Sequence, residues 1–371
     1  MTLRASHRFA AALGALPGMG PGGLRLLWHH HAPDEAWAVA LGTAAPSPEV
    51  QHFLERSSVA LAWRTADRNL PDLMEERCSA LAVQVYLAGD PGYPTLVGDD
   101  PQAPVALFAK GDLSVLERRR VGVIGTRHAT ATGRATAAEL ARGLSEHGVA
   151  VVSGLARGID GAAHRAVVAA DGAPVGVVAS GLDVVYPREH AELWHAVAAK
   201  GVLMSEAPPG VRPEAFRFPL RNRILAMLSE VLVVVESRGS GGSLITADEA
   251  ARRGRTVMAV PGSVRNPAAE GTNDLLADGA TPARDLTDVL VALGLGNQPS
   301  LPVPHVAPLD GLSARLDRLL GDGGRSLDDL VRLSGQPLAD VARALARLEA
   351  TNLVVVTDGW YEQGHAPWGR T

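Results

Sequence analysis

Between Arg212 and Arg223 the chain sets four arginines and two phenylalanines against one glutamate, Glu214. Within that stretch Arg217-Phe218-Pro219-Leu220-Arg221-Asn222-Arg223 interleaves guanidinium groups with an aromatic ring and an amide. The whole chain has a formal net charge of -5, so this positive charge is local. Guanidinium groups neutralise phosphates, and rings and guanidinium planes stack on unpaired bases, so the tract suits a single-stranded nucleic acid. A solvated loop leading into a helix with a basic first turn is the other reading of the same residues.

Three Gly-rich polar turns carry a second chemical signal. They are Gly125-Thr126-Arg127-His128-Ala129-Thr130, Ser153-Gly154-Leu155-Ala156-Arg157-Gly158-Ile159-Asp160 and Arg238-Gly239-Ser240-Gly241-Gly242-Ser243. Each follows an apolar run and leads into a helical pattern. Glycine lets backbone amides approach an anion, and a helix N-terminus adds a favourable partial charge. Ser153, Gly154, Arg157, Gly241, Gly242 and Ser243 are therefore candidate phosphate contacts. The alternative is that the glycines only make tight turns and Ser243 caps a helix; three such turns on one rim, each with an arginine, favour phosphate.

Several chemistries are excluded. Neither lysine, Lys110 or Lys200, lies in GxxxxGK[ST], and GVIGTRHATATG lacks the GxGxxG spacing, so no nucleotide or dinucleotide cofactor is expected. Asp160 and His164, four apart on a predicted helix, would share a face as an acid and base can. No third group is fixed by spacing, a capping Asp is the plainer reading, and no enzyme is expected. The single cysteine, Cys78, rules out an intramolecular disulfide and reads as a small buried hydrophobe. His29, His30 and His31 are adjacent and point in different directions on a helix, which argues against a metal site.

The elements that must position these residues follow from hydrophobic periodicity. Strands are expected at VGVIG from Val121, VAVVSG near Val149, PVGVVA from Pro174, VLMSE from Val202, VLVVVES from Val231 and TVMAVPG from Thr256, with amphipathic helices between them. Strand-helix alternation with Val-rich strands predicts an α/β fold with a Rossmann-like, doubly wound parallel sheet buried on both faces. Hydrophobic residues make up 46% of the chain and aromatics 4%, so the core is built from Ala, Val and Leu. Residues 1–75 read as a small helical domain in which ALGALPGMGPGGLRLLW resembles a helix-hairpin-helix or SAM-like module. The Rossmann-like domain runs from 80 to 293, a Pro-rich linker from 295 to 311, and a winged-helix pattern from 312 to 371. The last pattern has Arg343 and Arg347 on its second helix and Asp358-Gly359 at a hairpin tip. No run of about eighteen uncharged apolar residues or signal-peptide cleavage region occurs, which predicts a cytoplasmic protein without a membrane span.

GTRHAT, SGLARGIDGAAH, FPLRNRI, SGGSLITA, VMAVPGSVRNP and EGTNDLLADGA occur in the order and context of the DNA-processing protein A (DprA/Smf) family, which the chain resembles from about residue 80 to 293. The resemblance implies a homodimer that binds single-stranded DNA and helps load the RecA recombinase in natural transformation. Carried over by motif, the DNA contacts are Arg127, Phe218, Arg221, Asn222 and Arg223, with Arg217 beside them lacking an assigned family equivalent. Thr126 departs from the serine the family often has, but keeps the hydroxyl. Two other readings stand beside this one: a phosphoribohydrolase-like nucleotide enzyme, whose loop GSGGSLITADE matches poorly in glycine spacing and in Glu249, and a winged-helix transcription regulator, which leaves the large domain without a task.

Overall fold

The computed structural model describes residues 4–296, 311–321, 323–350, 353–357 and 359–363. Contacts divide the chain into two compact units near residue 298. Most of the expected linker, and Asp358 of the expected hairpin tip, lie outside the described residues.

Six helices open the first unit: α1 (Ala5–Ala15), α2 (Pro21–His30), α3 (Pro33–Ala40), α4 (Pro48–Arg56), α5 (Ala60–Trp63) and α6 (Leu70–Ala80). Pro21, Pro33 and Pro48 each begin a helix, where the missing N–H would have had no intrahelical partner, so the prolines that punctuate this region start helices as well as end them. The chain then builds β1 (Gln84–Leu87), α7 (Thr95–Gly98), β2 (Ala106–Gly111), β3 (Arg120–Ile124), α8 (Ala131–Glu146), β4 (Ala150–Ser153), α9 (Ile159–Ala169), β5 (Pro174–Val177), α10 (Ala191–Lys200) and β6 (Val202–Ser205). It continues with α11 (Arg217–Leu228), β7 (Val231–Val234), α12 (Gly242–Arg252), β8 (Thr256–Ala259), α13 (Glu270–Ala277), β9 (Thr281–Pro282) and α14 (Leu286–Ala292).

The strands form one sheet in the order β1-β2-β6-β5-β4-β3-β7-β8-β9. All six expected strands are present and mutually parallel, with Val121 in register with Val151 on one side and Val231 on the other. The sheet as a whole is mixed, not parallel, because β2 pairs antiparallel with both β1 and β6. These two strands lack the Val-rich signature of the interior: Gln84 and Lys110 reach solvent, and β1 alternates exposed and buried positions as an edge does.

From β3 to β6 the chain steps one way along the sheet, and from β7 to β9 it steps the other way. Right-handed crossovers therefore place α8, α9 and α10 on one face and α11, α12 and α13 on the opposite face. Order reverses between β3 and β7, where clefts open in doubly wound sheets. One hydrophobic cluster joins the opening helices to the sheet through Leu13, Leu27, Trp63, Phe108, Trp194 and Leu203, and a second joins α11 and α12 to the other face through Met204, Ile224, Val234 and Ala247. Cys78 is buried in the first cluster, where burial pushes its thiol up to about 11.

The second unit comprises α15 (Gly311–Leu320), β10 (Arg325–Ser326), α16 (Leu327–Ser334), α17 (Leu338–Ala350), β11 (Val354–Thr357) and β12 (Trp360–Gln363), with sheet order β10-β12-β11. Ser326 accepts the Asp329 N–H at the start of α16, and Gly335 closes that helix in the left-handed region. Leu316, Leu330, Val341, Leu345 and Leu348 form its core. Arg343 pairs with Asp340 at 3.6 Å.

His164 is fully buried in α9, one ring nitrogen donating to the Val175 carbonyl at 3.3 Å, and burial pushes its pKa down to about 4. The folded chain thus refuses a proton that the unfolded chain accepts below about 6.5. Stability contributed by neutral His164 is present above that pH and is lost as pH falls toward 4, by up to about 3 kcal/mol. Urea unfolding midpoints measured from pH 7 to 4 should fall less steeply in His164→Gln than in the unmodified chain. Equal slopes in the two proteins would contradict this role.

Candidate nucleic-acid interface

At the reversal point the turn after β3, the turn after β7 and the first half of α11 surround a groove of about 410 Å³. Arg127 and His128 come from the first, Gly241, Gly242, Ser243 and Ile245 from the second, and Phe218, Pro219, Arg221 and Asn222 from α11. Pro219 is compatible with helix here because it lies in the first turn, which needs no N–H donors. The side chain of Arg127 is exposed and stacks over the Phe218 ring at 4.8 Å, and Tyr186 meets the same ring with centroids 5.7 Å apart. Among the described residues no carboxylate pairs with Arg127.

Three helix N-termini face this rim, and two are already filled by the chain itself. Glu236, at the end of β7, accepts the N–H of Thr130 at 2.9 Å and its hydroxyl at 2.6 Å, while Thr130 caps α8 by accepting from Gly133. A Cβ on Gly133 would lie 2.2 Å from the Glu236 carboxyl carbon, so glycine is needed there for the acid to fit. At the start of α9 the Asp160 carboxylate accepts from the amides of Gly154, Ala156 and Gly125. Burial pushes this carboxyl up, and the nearby Arg221 guanidinium with those amides pulls it back. The third, the α12 terminus, opens into the groove at Gly242, where a Cβ would meet nothing within 4 Å; beside it the Gly241 N–H already donates to the Arg238 carbonyl at 2.9 Å, and the buried Ser243 hydroxyl donates to Ser237 at 2.9 Å. The glycine turns after β3 and β4 are thus closed by internal acids, not left free for phosphate.

Burial also redistributes the expected contacts. Arg221 is 8% exposed and donates to the carbonyls of Gly154, at 2.8 Å, and Val177, so its charge forms the floor of the groove. Its other nitrogen, Nε, donates to Asn222 Oδ1 at 3.1 Å and orients that amide. A Cβ on Gly154 would lie 2.3 Å from Arg221 and 2.7 Å from the Asp160 carboxylate, which makes Gly154 the gap through which arginine and acid meet. Arg157 is exposed beside Tyr186 in an adjoining recess and pairs with Glu189, whose carboxyl that hydrogen bond holds down at about 2.

Two expected contacts are internal. Ser153 is fully buried and donates to the Val123 carbonyl at 2.7 Å, tying β4 to β3. Arg223 is 6% exposed and one of its terminal nitrogens donates to both Glu206 oxygens, at 2.6 and 2.7 Å; burial raises the Glu206 carboxyl and Arg223 opposes that rise. Arg221 and Arg223 are both buried although two residues apart, because α11 is enclosed nearly all round from Arg221 onward, whereas Phe218 and Asn222, four apart, share its accessible edge. Arg217 lies away from the groove, over Phe216 at 4.9 Å and paired with Glu214 at 3.2 Å. It lines a separate depression of about 350 Å³ with Arg77 and Arg212.

Sequence reasoning missed Tyr186 and Glu236. An acid at the end of an all-Val strand was the available signal for Glu236; Tyr186 had none, because only the tertiary fold brings its loop to Phe218. Asp160 and His164 are both internal, so they do not form an accessible acid-base pair.

Removing one member of the Glu206–Arg223 pair leaves a buried charge uncompensated. Arg223→Ala should therefore lower unfolding stability by about 3–5 kcal/mol, and the double variant Arg223→Met/Glu206→Gln should recover most of it. Chemical denaturation of the three proteins checks this; an Arg223→Ala protein of normal stability would mean the pair is not held as described.

The fold agrees with what the chain is similar to. The family model described as "DNA recombination-mediator protein A" matches residues 84–294. A putative DNA processing protein DprA of Mycobacterium tuberculosis is 42% identical over 268 residues, covering 69% of this chain and 68% of the relative. The corresponding protein of Bacillus subtilis is 41% identical over 202 residues, covering 54% and 68%. The X-ray structure of DNA processing protein A from Streptococcus pneumoniae superposes with a TM-score of 0.64 at 29% identity, over 78% of this chain and 98% of that one. A Helicobacter pylori DNA processing protein A, whose structure concerns its single-stranded DNA binding mode, gives 0.52 at 25% identity, over 57% and 95%. With the matched region running unbroken from β1 through the end of α14, the chain belongs to the DNA recombination-mediator protein A family.

Proposed function

We propose that this chain binds single-stranded DNA, with little sequence preference, in the groove at the reversal point of the sheet. The observation that carries this reading is the exposed Arg127 stacked on Phe218, lining one groove with the start of α12, where the Gly242 backbone borders open space. Arg127 takes a phosphate, Phe218 flanked by Tyr186 offers a ring on which an unpaired base stacks, and Gly241, Gly242 and Ser243 at the start of α12 receive a second phosphate. Asn222, held by Arg221, is left to hydrogen-bond a base edge or sugar. Arg157 exchanges its exposed pair with Glu189 for a phosphate at little cost, since exposed pairs contribute about 0–1 kcal/mol. Arg221 acts from the floor as an uncontacted positive charge, and Arg223 and Ser153 hold the frame. No catalytic step enters this reading.

Two finer parts belong to the same proposal. The protein works as a homodimer that protects incoming strands and passes them to the RecA recombinase during natural transformation, as the family resemblance implies. The second unit, with three helices and a three-stranded sheet, is read as a winged helix with an accessory role. Filament formation on strands coated with single-strand-binding protein should then accelerate when this chain is added, and Arg127→Ala/Phe218→Ala should remove the acceleration. An undiminished effect of that double variant would separate recombinase delivery from this groove.

Binding itself is tested by anisotropy of a labelled oligothymidylate across a salt series. Each neutralised phosphate contributes roughly 0.7 to the fall of log affinity with log salt, so three to five contacts give a slope of about -2 to -3.5. Phe218→Ala should weaken binding by about 1–3 kcal/mol with the slope nearly intact, whereas Arg127→Ala should weaken binding and flatten the slope by about 0.7. Salt-insensitive binding, or a folded Phe218→Ala protein that binds normally, would overturn the assignment.

A further inference from the structure

The turns that follow four adjacent strands each present an exposed arginine: Arg157 after β4, Arg127 after β3, Arg238 after β7 and Arg265 after β8. The first two belong to the groove and its recess. Arg238 and Arg265 do not line it, and neither has an ion-pair partner among the described residues. The loop carrying Arg265 is built to hold an exposed tip. Ser263 accepts the Arg265 N–H at 3.3 Å and the Asn266 N–H at 2.9 Å, through its hydroxyl and its carbonyl respectively, and Asn266 accepts the Ala268 N–H at 3.0 Å. Asn273 brackets Gly262 with two further bonds, at 3.2 and 3.1 Å. Between these anchors Val264 is 92% exposed, an apolar side chain held in water beside an arginine. The acid in contact with this part of the rim is Glu270, which accepts the Gly239 N–H at 3.3 Å.

From this row we infer that a strand of DNA seated in the groove continues past the start of α12 across β7 and β8, with Arg238 and Arg265 taking successive phosphates and Val264 contacting a sugar or base between them. The inference rests on the groove being a single-strand site and extends it in one direction. Neighbouring strands lie about 4.8 Å apart, so the row from β4 to β8 spans roughly 14 Å, which at 3.4 Å or more per charge corresponds to up to about four phosphates. A row of exposed guanidinium groups, of which Arg157 alone carries an ion-pair partner among the described residues, complements a polyanion along its length.

A short oligothymidylate, about five nucleotides, and a long one, about sixteen, separate the two ideas, because they bracket the site sizes of compact single-strand binders. The unmodified chain should bind the long one more tightly and with the steeper salt slope. In Arg238→Ala/Arg265→Ala the slope for the long oligonucleotide should fall by about 1.4, two contacts at roughly 0.7 each, while the short one is bound as before. Val264→Glu should weaken the long oligonucleotide alone. If all three proteins bind the long oligonucleotide with the same slope and affinity, the extension is wrong and the exposed tip faces something other than DNA. Failure of the unmodified chain to bind either length rejects the groove reading, and this extension with it.

Discussion

A parallel sheet delivers several helix N-termini to one edge, and every one of them presents amides that need an acceptor. How those amides are satisfied decides what the edge can do. Here Glu236 bonds Thr130 at the start of α8, the Thr126 carbonyl accepts the first amide of α9, and Asp160 accepts from amides of the turns beside it. Asp160 in turn faces Arg221 across the gap at Gly154, and Arg221 bonds the carbonyls that end β4 and β5. The crossover helix α11 is thereby fixed to the sheet edge by a buried charge that is costly to leave unpaired. Phe218 stands three residues before Arg221, so fixing one along the helix fixes the other. The Phe218 ring is thus positioned by an interaction at the floor of the groove.

That arrangement also explains what the sequence made legible. The interior strands were readable because Val-rich runs buried on both faces leave no alternative to a parallel core, and the reversal point follows from their order. The two strands β1 and β2 were not, since QVYL and ALFAKG lack the Val-rich signature and carry polar residues, Gln84 and Lys110. The Arg-Phe tract was legible as residue types, but type does not reveal direction. Arg221 and Arg223 turn inward because α11 is buried almost all round beyond its first turns, and the nearly uniform apolar run that follows them, Ile224 to Leu228, is the signal that such a helix has little outer face. The glycine turns were a sound guide to where the rim is. Which of them stays open depended on acids far away in sequence, Glu236 in particular, and pairing across a hundred residues leaves no local mark.

The same acids settle an apparent conflict between an acidic chain and a polyanionic ligand. Net charge describes the molecule at a distance, whereas binding depends on the potential where the ligand lies. Glu236, Asp160 and Glu206 are placed inward, bound to amides, a hydroxyl and arginines. Their charge is engaged by internal partners close at hand, although Asp160 lies at the groove floor. Arg127 points the other way, with an aromatic ring as its neighbour, and a ring face holds a guanidinium without neutralising it. Desolvated acids behind and an uncompensated cation in front make a directed surface from a composition that is negative overall. In the proposed reading, attraction at this face beside a remainder that is acidic on balance orients a strand toward the groove before contact is made.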